Sequence, residues 1–248
     1  MDIISSNSNK YVRLLKSLSD KKSRDESGLF LAEGERLIKD MPSDFSAEFY
    51  LVAQNKLDEF SYLTAGKKFF VATESVIKYA CNTVTPSGIV AAVKKPRRTF
   101  ELPRSNALLL DSLQDSGNVG TIIRTAVSCG FSDIYLFCCA DPFSPKAVRA
   151  SMSGIFKARV YDVNYEECKT LLTVTDSYAL DMDGENLFKA NLPARVTFVA
   201  GSEAHGVSDD IKSLCKGSVS LPMGNNMESL NVAVATGVAM YYTVNTNN

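Results

Sequence analysis

Tyr11, Leu14, Leu15 and Leu18 recur at helical spacing, which predicts an amphipathic helix over residues 8–20 with Lys10, Arg13 and Lys16 on its wet side. The polar run DKKSRDESG is expected to end it. Short apolar runs follow at Leu29–Ala32, Phe49–Ala53, Phe69–Ala72 and Gly88–Val93, separated by GERLIKDM and TESVIKYAC, which read as helices. That alternation predicts a small α/β domain. Residues 94–106, KKPRRTFELPRSN, hold two prolines, five basic residues and little periodicity, so they read as a linker. The expected domains are therefore 1–98 and 99–248.

The second half opens on ALLLD at 107–111, a buried-strand pattern, followed by a polar loop, a helix from about Asn118 to Cys129, and DIYLF at 133–137. Strand, helix and strand of these lengths make a parallel βαβ unit. Further strands are expected at Ser177–Leu180, Val196–Ala200 and Ser218–Leu221, and a final helix at Ser229–Tyr242. The fold class is α/β, with loops at the strand C-terminal ends available to form a site.

Composition changes this picture little: 45% hydrophobic and 22% charged residues describe an ordinary globular chain. No apolar run reaches membrane-spanning length. The N-terminus MDIISSNSNKYVRLL lacks the apolar stretch and cleavage site of a signal peptide, so a cytoplasmic protein is expected. Six cysteines without a CxxC pair read as buried reduced thiols, and no metal is expected. Charge matters more once divided along the chain. The net charge of −1 conceals a balance of +4 over residues 1–100 and −5 over 101–248, which makes the first half the anion-facing one.

Three loops, each directly after an expected strand, can carry chemistry. In DSLQDSGNVGTIIRTA (111–126), Gly117 and Gly120 bracket Asn118 at the mouth of a helix. On that helix Val119, Ile122, Ile123, Ala126 and Val127 form the buried stripe, which leaves Arg124 facing away from the core. Arg124 is either a surface arginine or a functional one. The second loop is FVAGSEAHGVSDD (198–210), where Glu203 can orient a ligand or cap the turn. The third is LPMGNNMESLN (221–231), where Ser229 and Asn231 stand at a helix start as N-caps or substrate ligands. Neither GxxxxGK[ST] nor GxGxxG occurs, which removes the main support for nucleoside-triphosphate and dinucleotide binding. The single histidine, His205, and the lack of a GxSxG elbow count against hydrolase chemistry.

In order and spacing these loops resemble the three signature motifs of the SpoU (TrmH-like) RNA 2′-O-ribose methyltransferases of the SPOUT superfamily. Asn118, Gly120, Ile122, Arg124, Thr125 and Ala126 carry the first motif. Gly201, Ser202, Glu203 and Gly206 carry the second, and Pro222, Met223, Ser229, Leu230, Asn231 and Val232 the third. DPFSPKAVRASMSGIF (141–156) resembles another family segment; Ala204 departs from the usual glycine. The segments NKYVRLLKSL, FLAEGERLI and TVTPSGIVAAV resemble the family's accessory substrate-binding domain, which is ribosomal-protein-like.

The resemblance implies a C-terminal domain with a deep trefoil knot, although physical rules alone would not propose one. It implies S-adenosylmethionine as cofactor, contacted by Gly201, Gly206, Leu221, Met223 and Leu230. Asn118, Arg124, Glu203, Ser229 and Asn231 would surround the reacting ribose. A guanidinium is effectively always protonated, so Arg124 is expected to hold a phosphate and stabilise alkoxide charge rather than act as base. The resemblance also implies a homodimer and an RNA substrate, ribosomal before transfer RNA. Two other readings are an inactive RNA-binding protein of the same fold, against which the intact residue set counts, and a small-molecule enzyme, for which the basic first half has no purpose.

Overall fold

The computed structural model describes residues 2–225 and 229–246, so part of the third loop, residues 226–228, lies outside the described residues. The chain divides into two compact units. One runs through Arg97 and also takes Asp141–Phe156; the other comprises Arg98–Ala140 and the chain from Lys157 onward.

The first unit is built from β1 (Ile3–Ile4), α1 (Lys10–Ser17), α2 (Lys21–Ser27), β2 (Leu29–Glu33), α3 (Glu35–Lys39), β3 (Ala47–Ala53), α4 (Ser61–Thr64), β4 (Phe69–Ala72), α5 (Glu74–Ala80) and β5 (Ile89–Lys94). Its sheet has the order β1-β4-β3-β5-β2; β5 runs antiparallel to both neighbours, and the other pairs are parallel. The expected first helix stops at Ser17, and the polar run folds as α2 instead of a loop. The reasons are local. Asp20 caps the Ser23 amide, Gly28 ends the helix at φ 66°, and Arg24 turns inward. One sheet face packs Leu29, Leu31, Phe49 and Leu51 against Val12, Leu15, Val76 and Ile77 of α1 and α5.

Period-two alternation sends Phe30 to the opposite face. There its ring meets Phe143 at 5.1 Å and Phe156 at 6.3 Å, while Phe45 packs edge-on against Phe156 at 4.9 Å. The segment that covers this face carries α6 (Pro145–Ser151) and α7 (Gly154–Lys157), the first capped by Ser144 ahead of a proline at its first turn.

The second unit contains β6 (Ala107–Asp111), α8 (Ser116–Ser128), β7 (Asp133–Phe137), β8 (Arg159–Asp162), α9 (Tyr165–Val174), β9 (Ser177–Asn186), β10 (Thr197–Ala200), α10 (Asp209–Lys212), β11 (Gly217–Ser220) and α11 (Val232–Thr246). Its sheet, ordered β11-β9-β10-β6-β7-β8, is parallel throughout. Every residue of β6 and β10 is buried, as expected for central strands covered on both faces. Sequence patterning assigns no element at β8 or α9. β9 continues six residues past Leu180 through the polar DMDGEN, pairing with β11 across a register shift at Ser218/Val219. The final helix starts at Val232, after the third loop rather than inside it.

Among the described residues no helix is long and apolar enough to cross a membrane, and no three His, Cys, Asp or Glu side chains are grouped to hold a metal.

Arg24 is a testable linchpin of the first unit. Its side chain is 3% exposed, donates to the Leu18 and Ser19 carbonyls at 2.8 and 2.9 Å, and pairs with Asp141, whose side chain is 8% exposed, at 2.8 Å. Arg24→Ala leaves a buried carboxylate without its cation, held by the Phe143 amide at 2.8 Å, and two carbonyls unpaired, and is expected to cost about 3–5 kcal/mol in urea denaturation. A loss under about 1 kcal/mol would show that the pair contributes little.

Candidate active site

The C-terminal edge of the second sheet gathers the three loops. The first leaves β6 at Asp111, whose carboxyl is fully buried. Its Oδ2 accepts from the Ser208 amide and hydroxyl, each at 2.7 Å, and its Oδ1 from the Ser112 hydroxyl at 2.8 Å. One carboxyl thus ties the first loop to the end of the second. Ser112 takes φ 60°, a left-handed conformation costly for a residue with a Cβ, and its amide donates to the Phe137 carbonyl at 2.9 Å. The loop is further held by Cys139, whose thiol donates to the Leu110 carbonyl at 3.1 Å. Burial pushes that thiol up to about 12, so it stays protonated.

Asp115 then caps α8 by accepting from the Asn118 amide at 2.9 Å, which places Asn118 in the first helical turn. Across the second loop, Ser202 and Gly206 exchange backbone hydrogen bonds at 3.0 and 2.9 Å and hold Glu203 and His205 on an exposed turn. Gly201 at the base of this turn has no alternative. A Cβ there would sit 1.9 Å from the Gly206 carbonyl carbon, against backbone that cannot yield.

Three of the sequence-predicted residues meet directly. The Asn231 Oδ1 accepts from the Ala233 amide at 2.9 Å, so Asn231 is the N-cap of α11. Its Nδ2 donates to Asn118 Oδ1 at 3.2 Å, and Asn118 Nδ2 donates to Glu203 Oε1. The result is a head-to-tail series of amides running from a helix N-terminus to a carboxylate. Both asparagine side chains are locked in one orientation, because reversing either would oppose like groups. N-cap duty and site duty, alternatives in sequence, coincide in Asn231.

The other two residues stand apart. Arg124 is exposed, about 9 Å along α8 from Asn118 and roughly 120° around it, and its guanidinium has no partner among the described residues. Ser229 is exposed without a side-chain partner among the described residues. Of the apolar candidates, Leu221 and Met223 are half-buried after β11, and Leu230 is 43% exposed. The backbone of residues 222–224 makes no hydrogen bond to any described residue.

Asn118 and Asn231 also close one end of an open groove of about 840 Å³ between α8 and α11. Thr121, Thr125, Val234, Val238 and Tyr241 line its length, with Val234 52% and Tyr241 55% exposed. Gly237 lets α11 approach α8 closely, since a Cβ there would meet Thr125 Cγ2 at 3.3 Å. This groove was missed in sequence. The apolar run NVAVATGVAMYY buries one side of α11 and leaves an equally apolar side outward, and nothing in the run itself separates the two.

Comparison with known proteins agrees with this layout. Residues 105–241 match the SpoU rRNA Methylase family, and residues 9–91 match the MRM3-like substrate binding domain. The chain is 29% identical over 255 residues to slr1673 of Synechocystis, an uncharacterized tRNA/rRNA methyltransferase, covering 96% of this chain and 92% of that one. It is 28% identical over 247 residues to RlmP of Bacillus subtilis, a 23S rRNA (guanosine(2553)-2′-O)-methyltransferase, covering 98% and 99%. An AdoMet-bound rRNA methyltransferase from Sinorhizobium meliloti superposes with a TM-score of 0.88 at 25% identity, over 99% of this chain and 98% of that one. The family match spans more than half of the chain, including all three loops of the site, and the chain therefore belongs to the SpoU rRNA Methylase family.

Proposed function

We propose that this protein is a cytoplasmic RNA 2′-O-ribose methyltransferase that takes its methyl group from S-adenosylmethionine and acts on ribosomal RNA. The observation that carries this reading is the Asn231–Asn118–Glu203 series, which joins one residue from each motif at the C-terminal edge of a parallel sheet. RlmP, alike over almost its whole length, is a 23S rRNA 2′-O-methyltransferase and supports the substrate class.

The residues fit the cofactor. A flat adenine with a polar amino-acid end needs apolar walls and free backbone groups. The half-exposed Leu221, Met223 and Leu230 and the unbonded backbone of 222–224 offer both, beside Gly201 and Gly206. We assign those five residues to the cofactor, which supplies an electrophilic methyl on a sulfonium. We further infer the trefoil knot of this fold, supported by the strand order and by the backbone approach that only a glycine at 201 permits.

The protein's own task is to orient a ribose and lower the cost of its 2′-proton loss. Arg124, whose guanidinium has no partner among the described residues, is suited to grip a backbone phosphate and stabilise developing alkoxide. Ser229, Asn118 and Asn231 position the nucleotide, and Glu203 holds the Asn118 amide in register. We also infer a homodimer formed through the α8–α11 groove, whose exposed valines and tyrosine make an apolar face next to the site.

Methyl transfer from radiolabelled S-adenosylmethionine to unmodified ribosomal and transfer RNA tests the assignment. The wild type should leave an alkali-resistant label at a single ribose in ribosomal RNA, and Arg124→Ala should slow it by about 10²–10³-fold. Label confined to transfer RNA would change the substrate; cofactor binding without any label, on naked RNA and on ribosomal particles alike, would leave an RNA-binding protein. Asn118→Ala breaks the series in its middle, and we expect single-turnover methylation to fall roughly 10- to 100-fold with cofactor affinity within about threefold of wild type. An unchanged rate would remove the series from the mechanism. Val238→Asp, placed in the groove, should convert a dimer to a monomer in sedimentation equilibrium at micromolar concentration, whereas a wild type already monomeric there refutes the dimer.

A further inference from the structure

The first unit carries a surface that the site does not use. On α1, Val12 and Leu15 are buried, which turns Lys10, Arg13 and Lys16 outward at three-residue steps along about 9 Å of helix. No acidic residue stands on this helix, and none of the three cations takes part in a salt bridge among the described residues. Like charges on one helical flank repel, so the arrangement is uncompensated within the unit.

Aromatic rings extend the row at both ends. Tyr11 stacks on Phe70 at 4.0 Å, and its ring lies under two ammonium groups, Lys10 at 5.0 Å and Lys68 at 5.6 Å. At the other end Lys16 sits 5.3 Å from the ring centroid of Tyr79, on the neighbouring helix α5, beside the exposed Lys78. Tyr79 is 40% exposed. Lys68, Lys10, Arg13 and Lys16 thus form one strip, with the partly exposed ring of Tyr79 at its end. Glu48, shared at 3.7 Å by Lys68 and Lys94, offsets part of the charge at the Lys68 end and leaves Lys10, Arg13 and Lys16 without an acidic partner among the described residues.

We propose that this strip is the surface on which the first unit holds its RNA: the cations track backbone phosphates and Tyr79 stacks on an unpaired base. The inference rests on the RNA reading above and adds the residues that deliver it. Cations in a row with an interleaved aromatic ring fit the repeating charge and exposed bases of a polynucleotide. The strip selects for strand geometry and charge, while the site on the second unit selects the ribose.

The test measures binding apart from catalysis. Unmodified ribosomal RNA made by transcription is titrated with the full-length protein between 50 and 300 mM KCl. The triple variant Lys10→Gln/Arg13→Gln/Lys16→Gln should bind about 100-fold more weakly at 0.1 M salt, with a salt slope shallower by about 2 to 3. Tyr79→Leu should weaken binding about tenfold and leave the slope unchanged. Lys169→Gln/Lys189→Gln, on the second unit, should stay within about twofold of wild type, and S-adenosylmethionine affinity should be equal in all four proteins. An unchanged affinity in the triple variant, or an equal loss in the Lys169/Lys189 variant, overturns the strip and leaves the methyltransferase reading standing. A wild type that binds the cofactor but not RNA overturns both.

Discussion

The buried carboxyl of Asp111 is the constraint on which the site depends. It ends the strand β6, has no cation beside it among the described residues, and is satisfied only by three short hydrogen bonds from Ser112 and Ser208. A buried carboxyl is costly unless its acceptors are filled, so these bonds hold two loops that lie 97 residues apart in sequence at a fixed separation. Once that separation is set, Glu203 on the second loop stands within reach of Asn118 on the first. The α11 N-cap then supplies Asn231, and the amide series closes. The geometry of the candidate site here descends from a polar group placed in the core of a parallel sheet.

Chain pattern and physical outcome agree best where burial is strongest. β6, β7 and β10 were legible because strands covered on both faces read as unbroken apolar runs. β8 was not, since RVYD is an edge strand whose arginine points to Asp133 at 2.6 Å instead of the core. α9 carries a signal legible in the sequence: Asn164 and Glu167 form a capping box, the N-x-x-E spacing just ahead of an apolar stretch. α2 is polar by composition and is helical because of its caps and the inward Arg24, a tertiary pairing no window of seven residues reveals.

The site divides the same way. Each motif could be found on its own, and the resemblance named all five polar residues. What no local pattern contained was their division into a bonded trio and two isolated groups. That division follows from helix geometry at Arg124 and from the hydrogen-bond polarity of two asparagines. Arg124, without a side-chain partner among the described residues, is chemically distinct from the trio. It is free to respond to whatever anion arrives, while the trio is already fixed.

The aromatic cover over Phe30 has a consequence for the newborn chain. Residues up to Arg97 contain all five strands of the first unit, yet Phe143 and Phe156, which shield one face of its sheet, are encoded much later. A ribosome adding about 5–20 residues per second needs several seconds to bridge that interval. Throughout it, Phe30 and Phe45 are exposed and Arg24 waits for Asp141. Synthesis of this protein therefore passes through a stage at which an almost finished sheet is sticky on one side. Slow codons or chaperone capture between residues 97 and 156 would act on yield rather than on chemistry.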